Sequence, residues 1–82
     1  MKVRIHPHAR ERMRERGTTE AEVAATVLEG ERFPAKYGRT GFRRNFPFEG
    51  DWQGRAYATK QVEAYAVQEK EWLVITVLVK YF

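Results

Sequence analysis

Between Pro7 and Gly30 the chain is punctuated as two short helices, and that punctuation constrains the fold more than any other feature. Pro7 suits the first turn of a helix, where its missing N–H costs nothing. Gly17 is a natural C-terminal glycine, so a first helix is predicted over residues 7–16. Thr19 and Glu22 form the T-x-x-E pattern of a capping box, which starts a second helix over residues 20–29, stopped by Gly30. Ala9 and Met13 stand at i, i+4 on a narrow apolar stripe of the first helix. Val23, Ala24, Val27 and Leu28 make one apolar face on the second. Joined at Gly17-Thr18, the two read as a helical hairpin.

The rest of the chain reads as strands. Lys2 to Ile5 alternates polar and apolar residues and predicts a short strand. Residues 30–41, GERFPAKYGRTG, hold three of the six glycines and a proline and read as a loop. Phe42 to Phe48 predicts a strand, with Pro47 near its end as suits an edge, and Glu49-Gly50-Asp51 marks a turn. Arg55 to Glu69 reads either as one long bent strand or as two strands broken near Thr59-Lys60. After a polar turn at Glu69-Lys70-Glu71 comes the strongest strand, Trp72 to Phe82. Its odd positions, Leu73, Ile75, Val77, Val79 and Tyr81, form a nearly apolar face, while its even positions include Thr76 and Lys80. One face is expected to sit on the helices and the other to carry polar groups toward solvent or a ligand. The expected fold is α+β, with two N-terminal helices packed on an antiparallel sheet of about three to five strands. A final strand so apolar needs a central position or pairing with another chain, which leaves a homodimer open.

At 82 residues the chain is expected to form one domain, residues 1–82. Cysteine is absent, which excludes disulfides, Cys-type zinc sites and thiol catalysis. There is no apolar run of about 18 residues to span a membrane. The first residues, MKVRIHPHARERMRERG, are charged from the start, so a cytoplasmic location is expected rather than secretion. No P-loop, G-x-S-x-G, H-E-x-x-H or dinucleotide fingerprint occurs. His6 and His8 form H-x-H, but two nitrogens fall short of the ligands zinc normally takes, so neither a metal nor a cofactor is expected.

Net charge is +4, and it is laid out in blocks. Lys2, Arg4, Arg10, Arg12, Arg14 and Arg16 outweigh Glu11 and Glu15 in the first block. Glu20, Glu22, Glu29 and Glu31 follow with no base among them. Arg32, Lys36, Arg39, Arg43 and Arg44 come next with no acid. If the two basic blocks converge, they form a patch suited to phosphates. Ten of the fifteen basic residues are arginine, whose planar fork grips phosphate through paired hydrogen bonds.

His8, Arg12 and Arg16 fall at i, i+4, i+8 beside the Ala9/Met13 line. Imidazole is well suited to accept a proton near neutral pH, so His8 is a candidate base and Arg12 a candidate phosphate holder. The plain alternative is that His8 helps cap the helix and Arg12 pairs with a carboxylate. In the Arg39–Arg44 segment, Phe42 and Phe46 alternate with arginines. This pattern fits a groove where bases stack on rings, or equally a strand whose phenylalanines are core. Trp52, Tyr57 and Tyr65 carry the same two readings. Lys60, Thr76, Lys80 and Tyr81 complete the polar candidates. Thr76 lies inside an apolar run, where a hydroxyl wants a partner, and the Tyr81 phenol could transfer a proton.

Residues 6–23, H-P-H-A-R-E-R-M-R-E-R-G-T-T-E-A-E-V, resemble a family of small bacterial proteins catalogued as domain of unknown function four-two-five-eight. Its hallmark is a His-Ala-x-x-Arg-Met helix, then Arg-Gly, then a second helix starting at Ser or Thr. The likeness resumes at Val74–Val77, V-I-T-V. That family is similar in layout to RelE-type toxins and other small metal-independent ribonucleases. The resemblance implies an RNA-cleaving or RNA-binding surface, with His8 and Arg12 matching the helix motif and Thr76 the last strand. The middle segment from Gly38 to Val67 is longer and more aromatic than is usual there.

Two functions are therefore expected. In the first, a metal-independent endoribonuclease held by an acidic antitoxin-like partner, His8 takes the 2′-hydroxyl proton. Arg12 with Arg43 or Arg44 stabilises charge on phosphorus, and Tyr81 or Lys80 protonates the leaving oxygen. In the second, a non-catalytic module binds nucleic acid or a protein through Arg16, Arg39, Arg43, Arg44, Lys60 and Lys80.

Overall fold

A computed structural model describes residues 2–82. Its elements are β1 (Val3–Ile5), α1 (Pro7–Arg16), α2 (Glu20–Glu29), β2 (Glu31–Pro34), β3 (Thr40–Trp52), β4 (Arg55–Gln68) and β5 (Trp72–Tyr81). The fold is α+β, two helices against a five-stranded sheet of order β1-β5-β4-β3-β2.

Both helices begin and end where the local signals put them. The His6 imidazole Nδ1 caps α1, accepting from the His8 N–H at 3.1 Å. The cap is thus His6, and not His8 as the structural alternative for that residue had it. Gly17 closes α1 at φ 78°, with its N–H donating to the Met13 carbonyl. Thr19 and Glu22 make both halves of the capping box at the start of α2. Ala9, Met13, Val23 and Val27 enter the core, whereas Leu28, expected on the apolar face, is 53% exposed.

The sheet departs from the expected all-antiparallel one. β1 pairs with β5 in parallel, Val3 opposite Trp72 and Ile5 opposite Val74, so the sheet is mixed. Helices α1 and α2 follow β1 and carry the chain across to β2 at the opposite edge of the sheet. Residues 31–34 are a strand and not part of a loop, because they pair with the start of β3, Glu31 opposite Arg43 and Pro34 opposite Thr40. β3 and β4 are each continuous and form one long hairpin. Its turn is at Gln53-Gly54, where both residues have positive φ (50° and 82°), the backbone a tight two-residue hairpin demands. Glu49-Gly50-Asp51, expected as that turn, instead lies in β3 beside a register shift between Pro47 and Gly50. Pro47 does sit on an edge, because β2 pairs β3 only as far as Arg43.

A second register shift decides which side of β5 is buried. Tyr65 faces Thr76 but Ala66 faces Val74, so Ile75 is an extra residue in β5. Below this bulge Trp72 and Val74 point to the helices; beyond it Val77 does. Simple alternation had put Trp72 and Val74 on the opposite face from Val77. With Ile5, Phe42, Val62, Ala64 and Ala66 they complete one core between helices and sheet.

Candidate nucleic-acid interface

The pleat divides the predicted residues between two sides of the sheet. On β3, Phe42 is core at 3% exposure, and Phe46 packs against that core. The Phe42 ring is not free to stack on a base, and the Phe46 ring is half-buried. Arg44 lies on the same side, 3.6 Å from Glu29 at the end of α2, with its guanidinium 5.1 Å from the Phe46 ring. Arg43, one residue earlier, projects from the opposite, helix-free side.

Several expected site residues serve the corner where α1 turns into α2. The Tyr81 hydroxyl donates to the Arg16 carbonyl at 2.8 Å. The Arg16 guanidinium in turn donates to the Val77 carbonyl. Lys60 is buried, with its ammonium 2.9 Å from Glu22 and 3.0 Å from the Gly17 carbonyl. The Trp52 ring stacks on Tyr81 with centroids 5.0 Å apart and planes 15° from parallel. Tyr57 packs on Tyr81 as well. Burial, aided by the Glu22 charge, pushes the Tyr81 phenol above its ordinary value, so it stays neutral and hydrogen-bonded. Arg16, Lys60 and Tyr81 thus lock the tertiary structure, with Lys60 too enclosed to reach a phosphate. Burial raises the Glu22 carboxyl, but the bonds from Lys60, Thr19 and Thr18 and the Lys60 charge more than offset this, and it ends below its ordinary value.

Helix α1 carries the remaining expected catalytic pair. His8 is exposed near its start, and Arg12 pairs with Glu15 at 2.9 Å. Nearly every position of the His-Ala-x-x-Arg-Met, Arg-Gly, Thr pattern has a structural task. Ala9 and Met13 are core, Arg16 and Gly17 build the corner, and Thr19 caps α2. Only the His8 imidazole has none.

The helix-free side of the sheet gathers a different set. Arg43 Nε donates to Glu63 at 2.7 Å, and the Tyr65 hydroxyl donates to the same carboxylate at 2.9 Å. Phe33, on β2, places its ring against Gly41 of β3, where an added Cβ would come within 2.2 Å of it. That ring meets Tyr65 edge-on at 6.0 Å and lies 4.6 Å from the Arg43 guanidinium. Beside the cluster opens a groove of about 420 Å³ lined by Phe33, Lys36, Tyr37, Arg39, Tyr65 and Thr76, among others. Tyr37 is 86% exposed, and Arg39 leans over its ring at 6.0 Å. Lys80 lies on this side too, opposite Gln61. Arg39, Arg43, Thr76 and Lys80 therefore share a side of the sheet; His8 and Arg12 are on the other.

Phe33 and Tyr37 did not stand out in the sequence, and Lys36 did so only as one member of a basic block. The available signal was the interleaving of rings and cations in R-F-P-A-K-Y-G-R, within a stretch whose glycines and proline read as an irregular loop.

Glu63 is only 4% exposed. Burial pushes its carboxyl up, but the Arg43 and Tyr65 hydrogen bonds and the charges of Arg43 and Lys80 outweigh this and hold it below the ordinary value of 4.5. Burial, together with the Glu63 carboxylate, raises the Tyr65 phenol. A carboxylate whose folded value is depressed stabilises the fold above its unfolded value, and that contribution is lost as pH falls through the folded value. Thermal melts are therefore expected to hold steady from pH 7 to about pH 5 and then fall steeply with acid, through Glu63 and Glu22. Glu63→Gln should flatten that fall; an unchanged acid slope would show that Glu63 does not contribute to it.

Among the described residues no group of three or more His, Cys, Asp or Glu side chains could hold a metal ion. Among the same residues no helix is long and apolar enough to cross a membrane. Compared with known proteins, the chain matches no family model, no curated protein and no solved structure.

Proposed function

We propose that this protein is a non-catalytic module that binds single-stranded nucleic acid, RNA foremost, across the helix-free side of its sheet. One observation carries the reading: the exposed Tyr37 ring and the half-buried Phe33 and Tyr65 rings line the same groove as the cations Lys36 and Arg39. Single strands are held by this combination, with bases stacked on rings and phosphates on cations. Lys36 and Arg39 form no ion pair among the described residues, whereas Arg43 is partly committed to Glu63. The groove thus has free positive charge at its rim and rings on its floor.

An RNA-cleaving centre of the kind the family resemblance implies would need His8 and Arg12 to share a hollow with Arg43 or Arg44. His8 and Arg43 belong to opposite sides of the sheet; Arg44 is on the helix side but pairs with Glu29 at the end of α2, whereas His8 stands on α1, which packs on β5; and Tyr81 is engaged at the helix corner. Membership in the small bacterial family and a RelE-type layout stay within this proposal as likenesses of sequence and element order, which carry no activity by themselves. The acidic antitoxin-like partner rests on the same likeness, and a homodimer on the apolar last strand.

The test is binding of a fluorescent single-stranded oligoribonucleotide, followed by anisotropy over a salt series. Two phosphate contacts predict a slope of log affinity against log salt of about −1 to −2. Tyr37→Ala should weaken binding by about 1 kcal/mol through lost stacking, and Arg39→Ala should reduce the slope by about 0.7. A flat salt response would overturn the reading. Cleavage of the oligonucleotide in EDTA that His8→Ala abolishes would replace it with the ribonuclease.

A further inference from the structure

We infer that the outer edge of β5, from Val79 to Tyr81, accepts an extended acidic segment of a partner protein as an added strand. β1 covers this edge only from Trp72 to Val74, through bonds that include Trp72 N–H to the Lys2 carbonyl and His6 N–H to the Val74 carbonyl. There the chain leaves the sheet to begin α1, while β5 continues to Tyr81 with β4 on its other side alone. Phe82 exchanges both backbone hydrogen bonds with Thr59 of β4, at 2.7 and 3.0 Å. In an antiparallel ladder such pairs alternate along the strand, so Leu78 and Lys80 also bond to β4, while Val77, Val79 and Tyr81 turn their backbone groups outward. The Arg16 guanidinium takes the Val77 carbonyl. Val77 is fully buried, so the open part of the edge is Val79 and Tyr81, whose N–H groups, with the Val79 carbonyl, have no backbone partner among the described residues. An unpaired edge of this kind is a template for strand addition.

The surroundings of the edge specify the occupant. Arg10 lies on the flank of α1 that faces α2, where it pairs with Glu20. His8, Arg12 and Arg16 follow the opposite flank at helical spacing, and the bond from Arg16 to Val77 sets that flank above the empty edge. Below it, on the helix-free side, are Leu78, 39% exposed, and Lys80. An added strand would thus lay alternate side chains along a flank where Arg12 and Arg16 outnumber Glu15, and the others beside Leu78 and Lys80. A segment alternating acidic and apolar residues meets both. A second copy fits poorly: pairing two β5 edges about a two-fold axis normal to the sheet sets one Arg12/Arg16 stripe against the other.

Amide hydrogen exchange read by NMR tests this on the whole protein, with a short capped peptide alternating glutamate and valine as probe and its lysine–valine counterpart as control. Free protein should exchange the Val79 and Tyr81 amides rapidly, and the acidic peptide should slow both while the basic one leaves them unchanged. Arg12→Glu, a surface change, should weaken the acidic peptide by at least about tenfold and favour the basic one. Val79→Pro, which removes one outward N–H, should abolish peptide binding while leaving oligoribonucleotide affinity unchanged. No protection by the acidic peptide, equal protection by both, or insensitivity to Arg12→Glu would overturn the inference. So would slow exchange in the free protein accompanied by a dimer mass, or protection of the same amides by the oligoribonucleotide.

Discussion

Lys60→Met is expected to lower the unfolding free energy by about 3 kcal/mol, the scale for removing one member of an enclosed ion pair. The loss has two parts. The ammonium bridges Glu22 at 2.9 Å and the Gly17 carbonyl at 3.0 Å, so its removal leaves a carboxylate and a carbonyl short of a donor at the base of both helices. Methionine fills similar space, so little of the cost comes from a cavity. Urea denaturation at pH 7 checks it: the midpoint should fall with the slope unchanged. Adding Glu22→Gln to Lys60→Met should cost less than the sum of the single changes, because an uncharged amide tolerates the missing partner better. Full additivity would mean that the two side chains act independently.

Gly17→Ala should be about as damaging, near 3 kcal/mol, for reasons of backbone and space together. Gly17 has φ 78°, a left-handed conformation unfavourable to a residue with a Cβ. The added carbon would also come within 2.6 Å of both the Trp52 ring and the Tyr81 hydroxyl. The ring belongs to the end of the β3–β4 hairpin, so the clash pushes that arm off the helix corner. A lowered melting temperature should therefore come with a shift in tryptophan fluorescence. In a Trp52→Ala background the same glycine change should cost less, since one of the clashing groups is gone while the backbone strain remains. Equal costs in both backgrounds would mean that the arm does not rest on Gly17.

The two predictions concern one corner, and that corner shows why the site was only partly legible. Tyr81, Lys60 and Arg16 were singled out as polar or basic residues available for chemistry. Each proves to be spent on holding the α1–α2 turn against the end of the sheet. A sequence displays the donor but not the carbonyl it will meet some sixty residues away, as with Arg16 and Val77. Strand alternation sets residue 43 on the opposite side from residues 42 and 46 whatever the sheet looks like, but the carboxylates Arg43 meets there were not legible. Its partner Glu63 drew no notice: nothing in A-T-K-Q-V-E-A-Y-A says that this glutamate is enclosed by an arginine from another strand.

The helices were readable because their signals are local. Pro7, Gly17, Thr19 with Glu22, and Gly30 act on backbone groups within about one turn, so the boundaries are a property of the sequence itself. Strand pairing is not local. That β1 runs parallel beside the last strand, that Glu31–Pro34 joins the sheet, and that an extra residue at Ile75 reverses the facing of β5 were all decided by contacts between distant segments. The amino-acid order determined two capped helices and a strand-rich remainder with basic blocks. Only the packed sheet decided which cations stand together, because the side of a strand that meets the core depends on register, and register is set by partners far away in the chain.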